Sequence, residues 1–403
     1  MIVLGIAVVA YLVAVMQRAS MGVASIAADD RFGLTAAQLS TLTVFQLIVY
    51  AAMQIPVGIL LDRWGSRRLI ATGAIIMALG QFVVAISVEL GTAVLGRMLV
   101  GLGDAFTFIS LIRLINGWYS GKTAAVLQQW LANIGQLGQV LSAVPFALLL
   151  PVVGWDATVG SAAALSVLVA ALAYLAIRDD RIAVSSARIH QTLAEAFEQL
   201  RLSVAHPGTR MAFWTHFTMQ SSGATFVLLW GVPFLVRGLD RNQDFASAVL
   251  SSFVFIGIAG GGLLGYLTGR FPSRRIAIVT GIAISIISTW AFLLMWPGKV
   301  PDPLIWLVVV SIAIGGPASM IAFDFTREFV PKDRLGSANG FVNIGGFLAT
   351  FVMMFVIGAT LDAALAFRIG SNPAAELYDT QNFQFAMFSH LFVVVLGLSC
   401  FLV

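Results

Sequence analysis

The sequence predicts an all-α, polytopic membrane protein with twelve transmembrane helices in two six-helix, pseudo-symmetric bundles. Its 403 residues are 59% hydrophobic and only 10% charged, whereas a soluble protein carries about 25% charged residues. Long apolar stretches follow one another along the chain. In addition, two short motifs of the first half recur in the second half. A duplicated, mostly apolar chain is typical of a transporter built from two bundles around a central site.

The duplication is visible in two pairs of segments. Residues 58–68 read GILLDRWGSRR, and 207 residues later residues 265–275 read GYLTGRFPSRR; both lie between apolar stretches. The tripeptide Asn-Ile-Gly occurs at 133–135 and, 210 residues later, at 343–345, with Lys122 and Lys332 placed alike upstream. These matches predict that each half of the chain forms a similar bundle.

A helix needs about 20 apolar residues to cross a bilayer. Twelve stretches meet this requirement: 2–27, 36–61, 68–88, 91–116, 122–150, 157–177, 210–236, 246–269, 275–296, 303–326, 335–361 and 382–403. Residues 178–209 are rich in charge, and their apolar residues recur at helical spacing, which predicts an amphipathic helix on the membrane surface. The predicted domains are therefore an N-terminal bundle (1–177), a linker (178–209) and a C-terminal bundle (210–403).

The lysine and arginine distribution predicts the orientation. If the N-terminus is cytoplasmic, the cytoplasmic loops carry fifteen basic residues and the opposite loops carry five. This asymmetry favours two cytoplasmic termini and a cytoplasmic linker. We expect an integral protein of the bacterial cytoplasmic (inner) membrane, in contact with the lipid bilayer and acting as a monomer. The first apolar run is long enough to span, so no cleavable signal peptide is expected.

Several classes of function are disfavoured. Cys400 is the single cysteine, so neither an internal disulfide nor a cysteine metal site is expected. The net charge of +4 comes from short loops and is no nucleic-acid signature. The glycine runs 260–262 and 315–316 follow no strand and lack the Lys-Ser/Thr of a nucleotide loop. We therefore expect no enzyme, no cofactor, no metal and no nucleic-acid partner.

Residues 58–68, with the pattern Gly-x-Leu-x-Asp-Arg-x-Gly-x-Arg-Arg, resemble the loop signature of the major facilitator superfamily. Arg97-x-x-x-Gly101-x-Gly103 resembles the second motif of that superfamily, and the twelve-helix pattern covers the whole chain. The resemblance implies the major facilitator fold and alternating access. A looser resemblance, of residues 11–24 with Arg18, is to the organic-anion and sugar-phosphate permease branches, although the seventh helix lacks the arginine of the sugar-phosphate exchangers.

The loop signature predicts a gate. Asp62 follows the second helix on the cytoplasmic side, where a carboxylate can accept backbone donors at the start of a neighbouring helix, the one beginning near Leu335 being the candidate. The alternative is that Asp62 caps a loop and the basic residues only anchor topology. The second copy has Gly269 at this position, which predicts a one-sided latch. The residues assigned to gating are Gly58, Asp62, Arg63, Gly65, Arg67 and Arg113.

Charged side chains inside a bilayer cost at least about 2.5 kcal/mol each and therefore need an explanation. Arg18 in the first helix is a candidate for binding an anionic substrate; the alternative is a structural ion pair. Asp104 in the fourth helix is a candidate proton carrier; the alternative is a fixed pair with Arg97 or Arg18. Arg97, seven residues before Asp104 on the same face, is assigned a structural role together with Gly101.

Two other groups are weaker proton-carrier candidates. They are His216, in the inner third of the seventh helix, and Asp324, near the cytoplasmic end of the tenth; the alternatives are packing for His216 and a pair with Arg327 for Asp324. Polar uncharged residues in spanning segments are candidates for the substrate site, the alternative being hydrogen bonds between helices. Those assigned to substrate binding with Arg18 are Gln46, Tyr50, Gln54, Asn133, Gln220 and Asn343.

These assignments predict a secondary active transporter that moves a small polar solute, favoured to be an organic anion because of Arg18, by proton-coupled symport. Two alternatives remain: an efflux antiporter for an amphipathic compound or lipid, and a transporter-like membrane receptor. The fifth helix lacks the Gly-Pro-x-x-Gly-Gly pattern of the superfamily's drug antiporters, which disfavours multidrug efflux.

Overall fold

The computed structural model describes residues 2–119, 121–178, 201–331, 335–369 and 377–402. Its internal contacts divide the chain into unit 1 (Met1–Ser186) and unit 2 (Ala187–Val403). The described residues contain helices and no β-strand. Eleven of their helical stretches are long and apolar enough to cross a membrane. The prediction of an all-α polytopic membrane protein is confirmed.

Unit 1 consists of four long helices: α1 (Ile2–Phe32), α2 (Ala36–Ile86), α3 (Leu90–Trp118) and α4 (Gly121–Ala176). Helix α2 begins with a capping box, in which Thr35 accepts the Gln38 N–H while the Gln38 side chain accepts the Thr35 N–H. Helices α2 and α4 are each long enough to cross a bilayer twice.

Two glycines account for the length of these helices. Gly65 has φ 76° and ψ 167° inside α2, and Gly154 has φ 76° and ψ −178° inside α4. Both backbones lie in the region that glycine tolerates and other residues avoid. The connections predicted at 62–67 and 151–156 coincide with these two kinks, and each is shorter than predicted because helix continues on both sides of a single bent residue. Counting α2 and α4 as two crossings each restores the six predicted for this half.

The helices of unit 1 pack closely where glycines face each other. A Cβ atom at Gly80 would lie 2.7 Å from the Gly96 carbonyl oxygen, and one at Gly73 would lie 2.8 Å from the Phe106 Cβ. A methyl group at Gly101 would collide with the backbone of Gln46. Such stripes of small residues let helices approach without a hydrophobic driving force.

Arg31 joins three helices at the end of unit 1 predicted to be extracellular. Its Nε donates to the Ser87 carbonyl (2.9 Å) beyond the end of α2, and its Nη1 lies 2.9 Å from Asp156 Oδ1 of α4. The Trp155 indole donates to the Val84 carbonyl at 3.2 Å. The bonds to Ser87 and Val84 supply further donors to carbonyls at the end of α2, where the Val84 carbonyl otherwise accepts only the Ser87 N–H at 3.4 Å.

Unit 2 contains α5 (Pro207–Thr225), α6 (Gln243–Arg270), α7 (Arg275–Leu294), α8 (Asp302–Ser319), α9 (Ile321–Phe329), α10 (Leu335–Ile369) and α11 (Thr380–Leu402). Two π-turns, Phe226–Trp230 and Phe234–Gly238, with Gly231–Pro233 between them, extend α5 into one span, Pro207–Gly238. The predicted amphipathic helix of the linker lies largely outside the described residues.

The predicted tenth span is confirmed at Asp302–Phe329, although its helical bonding is interrupted between α8 and α9. Pro317 has no N–H to continue the helical bonding, and the Met320 N–H turns back to the Pro317 carbonyl at 3.1 Å. Helix α9 starts at the next residue. The break exposes backbone carbonyls that need other donors.

Candidate functional site

A buried ion pair occupies the interior of unit 1. Arg18 of α1 donates to both carboxylate oxygens of Asp104 of α3, from Nε at 2.7 Å and from Nη2 at 2.9 Å. The Asp104 side chain is 1% exposed and the Arg18 side chain 17% exposed. The planar guanidinium therefore grips the carboxylate with two parallel bonds, which is the strongest geometry for such a pair.

Helix α2 supplies the other wall around Arg18. The Arg18 guanidinium lies 4.4 Å from the centroid of the Tyr50 ring, within the range of a cation–π contact. Gln54, one turn further along α2, donates to the Tyr50 carbonyl at 3.1 Å. Arg18, Tyr50 and Gln54, which the sequence assigned to substrate binding, thus lie together.

Arg97 does not pair with Asp104, although the two are seven residues apart on α3. Its side chain is fully buried. It donates to Ser20 Oγ at 3.1 Å and to Gln46 Oε1, with longer contacts of 3.5 Å to the carbonyls of Gln17 and Arg18. Of the two partners that the sequence left open for Asp104, the structure contains Arg18. Arg97 instead holds α3 against α1 and α2.

The charges in this cluster do not balance. Within the described part of unit 1, Arg18 and Arg97 face one interior carboxylate, that of Asp104, and Arg97 itself lies in no ion pair within 4 Å. Buried charge without a partner costs several kcal/mol. An interior with an excess of one positive charge favours an anion, and Arg18 is its more accessible cation.

The residues assigned to gating lie around the bend in α2. Arg113 of α3 donates to the Leu61 carbonyl at 2.8 Å. Leu61 directly precedes Asp62 of the loop signature. Arg67 donates to the Tyr174 carbonyl at 2.6 Å and lies 4.6 Å from that ring. Gly65 is the bend itself, and Arg63 is exposed. Gly58 lies within α2, and the side chain of Asp62 is outside the described part.

In unit 2, His216 of α5 lies at the break between α8 and α9. Its Nδ1 is 3.2 Å from the Ser319 carbonyl oxygen, so Nδ1 carries the proton in this contact. Ser319 Oγ donates to Gln220 Oε1 at 3.3 Å. Asn343 is half-buried on α10. His216 therefore supplies a donor to a carbonyl that the helix break exposes.

Asp324 lies on the short helix α9 and not in the middle of a span. Its carboxylate is 3.3 Å from Arg327 Nη1 and 3.8 Å from Arg275 Nε, and its side chain is 24% exposed. Arg275, from the second copy of the loop motif, also donates to Glu328 at 2.7 Å. Asp324 is thus one member of a partly exposed charge network that includes the alternative partner, Arg327.

The sequence analysis missed a second buried histidine. His390 of α11 is fully buried, its Nδ1 lies 3.0 Å from Ser222 Oγ, and its ring stacks on Trp290 at 4.5 Å. The Trp290 indole also donates to Ser222 Oγ at 3.0 Å. The signal was present, because His390 is an ionisable residue inside a predicted span.

One of the residues predicted to bind substrate is not covered. The side chain of Asn133 lies outside the part of the chain that the structure describes.

Comparison with known proteins agrees with this architecture. Residues 7–354 match the Major Facilitator Superfamily. A probable L-galactonate transporter of Escherichia coli is 23% identical over 376 residues, covering 88% of this chain and 81% of the relative. A nitrite extrusion protein of Bacillus subtilis is 22% identical over 354 residues, covering 85% and 83%.

A solved structure has the same fold. The inward-facing, unoccupied structure of a bacterial homologue of the human lysosomal transporter Spinster has a TM-score of 0.80, with 16% identity, and the match covers 99% of this chain and 95% of that one. The relatives and this structural neighbour are transporters, so the chain is a transporter and not an enzyme. The chain belongs to the Major Facilitator Superfamily.

Proposed function

We propose that this protein is a symporter that carries a small organic anion together with a proton by alternating access. One observation carries the proposal: the two-bond pair between Arg18 and Asp104 in the interior of unit 1. Two relatives support the anionic charge of the solute, since L-galactonate and nitrite, the solutes in their names, are both small anions. The basic-residue distribution supports cytoplasmic termini, and the bacterial relatives support a bacterial cytoplasmic membrane.

The pair explains how proton and anion are coupled. The Asp104 carboxylate occupies both donor positions of the Arg18 fork, so a substrate carboxylate competes for the same two bonds. A proton on Asp104 removes its charge and weakens its hold on Arg18. The fork then accepts the anion, and loss of the proton on the other side restores the pair and expels the substrate.

Competition for the Arg18 fork links proton and anion, and the sums of charge are compatible with their moving together. Arg18, Arg97 and ionised Asp104 sum to one positive charge. Neutral Asp104 with a bound monoanion gives the same sum, whereas neutral Asp104 alone leaves two uncompensated cations. Because buried charge is costly, the protonated empty state is the least favourable of these three and is visited least.

The remaining assigned residues take supporting roles. Tyr50 and Gln54 contact the surroundings of Arg18 and are placed to meet the polar end of the substrate. Gln46 holds Arg97 and acts on the site through it. Gln220, Asn133 and Asn343 are kept as substrate residues, and the loop residues around Gly65 as the gate.

The test is Asp104→Asn in proteoliposomes. Asparagine keeps the size and one acceptor oxygen but takes up no proton, so pH-driven accumulation of substrate should be abolished. Exchange at equal concentrations should persist, because exchange moves no net proton. Asp156→Asn, an exposed acid in the same unit, is the matched control and should accumulate normally.

Accumulation that persists along a proton gradient in Asp104→Asn would remove Asp104 from the mechanism and direct attention to His216 or Asp324. Loss of accumulation and exchange in parallel with a large drop in melting temperature would identify the pair as structural. Flux by itself separates a transporter from a receptor, which binds without transport.

A further inference from the structure

Unit 1 has an open groove between the second half of α2 and the second half of α4. The groove has a volume of about 620 Å³. Its lining combines small residues with larger aliphatic and aromatic ones. Its lining includes Trp64, Arg68, Ala71, Ile75, Ala171 and Tyr174. Most of this wall is apolar, as suits a surface that faces lipid chains.

A cation without a partner stands at one end of the groove. Arg68 is exposed, and within the described part of the chain no hydrogen bond or ion pair engages its guanidinium. Its neighbour Arg67, in contrast, is held by the carbonyl and ring of Tyr174. Arg68 is therefore the arginine of this pair that remains available to an external anion.

The groove extends over about two thirds of the depth of one leaflet. Arg68 and Ile75 are seven residues apart, which is about 10 Å along a helix, and half of the hydrocarbon core is about 15 Å thick. Trp64 and Tyr174, 44% and 56% exposed, flank the basic end, where aromatic side chains mark the headgroup level. The basic end is the one predicted to be cytoplasmic.

We propose that this groove is a docking site for one anionic glycerophospholipid of the cytoplasmic leaflet. Its phosphate pairs with Arg68, and one acyl chain lies along the lining alanines towards Ile75. Charge complementarity selects this occupant, because a zwitterionic lipid brings its own cation to the rim. The site is independent of the Arg18–Asp104 pair, and the lipid is a resident and not a substrate.

The docked lipid would also act on the bend in α2. Trp64 and Arg68 lie on the two sides of Gly65, the residue with φ 76°. A lipid that contacts both side chains braces the angle between the two halves of the helix. The occupied groove should therefore stabilise unit 1 against thermal unfolding.

Native mass spectrometry of the detergent-purified protein tests this site. The protein is titrated with phosphatidylglycerol and with phosphatidylcholine of identical chains. One phosphatidylglycerol should bind more tightly than any phosphatidylcholine. Arg68→Gln should weaken that binding about fivefold, the change that corresponds to about 1 kcal/mol for one basic residue at the membrane surface.

Matched variants separate the groove from general surface charge. Arg63→Gln removes an exposed arginine of the same bend that does not line the groove, and it should leave binding unchanged. Ala171→Phe fills the groove from its open side and should weaken both lipids. Ala164→Phe, exposed two turns away on α4 and outside the lining, should not.

Equal binding of the two lipids by the wild-type protein would overturn the proposal. So would wild-type affinity in both Arg68→Gln and Ala171→Phe, or an equal loss in Arg63→Gln and Arg68→Gln. A protein that appears as a dimer without lipid, and returns to monomer in Ala171→Phe, would assign the groove to a second copy of the chain instead.

Discussion

The Arg18–Asp104 pair should behave as a single energetic unit, and a double-mutant cycle measures this directly. Arg18→Met and Asp104→Leu replace each side chain by an apolar one of similar length. The structure gives two bonds of 2.7 and 2.9 Å between groups that are 17% and 1% exposed. Removing one partner of such a buried pair costs about 3–5 kcal/mol, whereas removing both is often nearly neutral.

The two single variants should differ in severity. Asp104→Leu leaves Arg18 and Arg97 without an interior carboxylate and should lose the full amount, which is about 6–20 °C in melting temperature for a unit of this size. Arg18→Met should lose less, because Asp104 can take up a proton and become neutral. The double variant should be more stable than Asp104→Leu, with a coupling energy of about 1.5–3 kcal/mol.

The assay is thermal unfolding of the four proteins in one detergent, followed by tryptophan fluorescence. The matched control is the same cycle on Arg31 and Asp156, where the acid is 71% exposed; a coupling of about 0.2–1 kcal/mol is expected there. If the losses of Arg18→Met and Asp104→Leu simply add, the two groups do not hold each other, and competition for the Arg18 fork loses its basis.

Three further variants test other parts of the molecule. Asp62→Asn should fold normally and reduce transport by weakening the gate, and flux at the wild-type rate would exclude that role. Arg18→Lys keeps the charge but loses the planar fork, so affinity for an anionic substrate should fall at normal expression; unchanged binding, in it or in Arg18→Ala, would place the substrate elsewhere. Ser222→Ala leaves the Trp290 N–H and the His390 Nδ1 without their shared hydroxyl and should destabilise the protein by at least about 2 kcal/mol. The control is Ser161→Ala, which removes a bond from an exposed serine to the Thr158 carbonyl of the same helix.

The fold was predictable because its main signal, the length and apolarity of the spans, is local. The length and shape of the connections could not be predicted in the same way. The charged segment around Gly65 looks like a loop, yet one residue with positive φ is enough to bend a helix that otherwise continues. Pro317, in contrast, is recognisable in the sequence as a residue that interrupts a helix. Its effect on the tenth helix depends on which donors reach the freed carbonyls, and one of these donors, His216, comes from a different helix.

The candidate site was predictable in its residues but not in its pairing. A spacing of seven places Arg97 and Asp104 on one face of α3, which is all that periodicity determines. The docking of α1 and α2 against that face decides the partners, giving Arg18 to Asp104 and Gln46 to Arg97. His390 was overlooked although it satisfies the criterion applied to His216, because its partners Ser222 and Trp290 lie on helices distant in sequence.

The two halves have kept a common helical plan while dividing the chemistry unequally. Among described residues, the fully buried charges Arg97 and Asp104 are in unit 1, whereas the buried polar groups of unit 2 are histidine, serine, threonine and asparagine side chains. Neutral groups bind by hydrogen bonds whose direction and number depend on the shape of the ligand, while a guanidinium attracts any anion. Under the proposed function, unit 1 would select the charge of the solute through Arg18 and Asp104, and unit 2 would contribute hydrogen bonds to the neutral polar groups of the same solute.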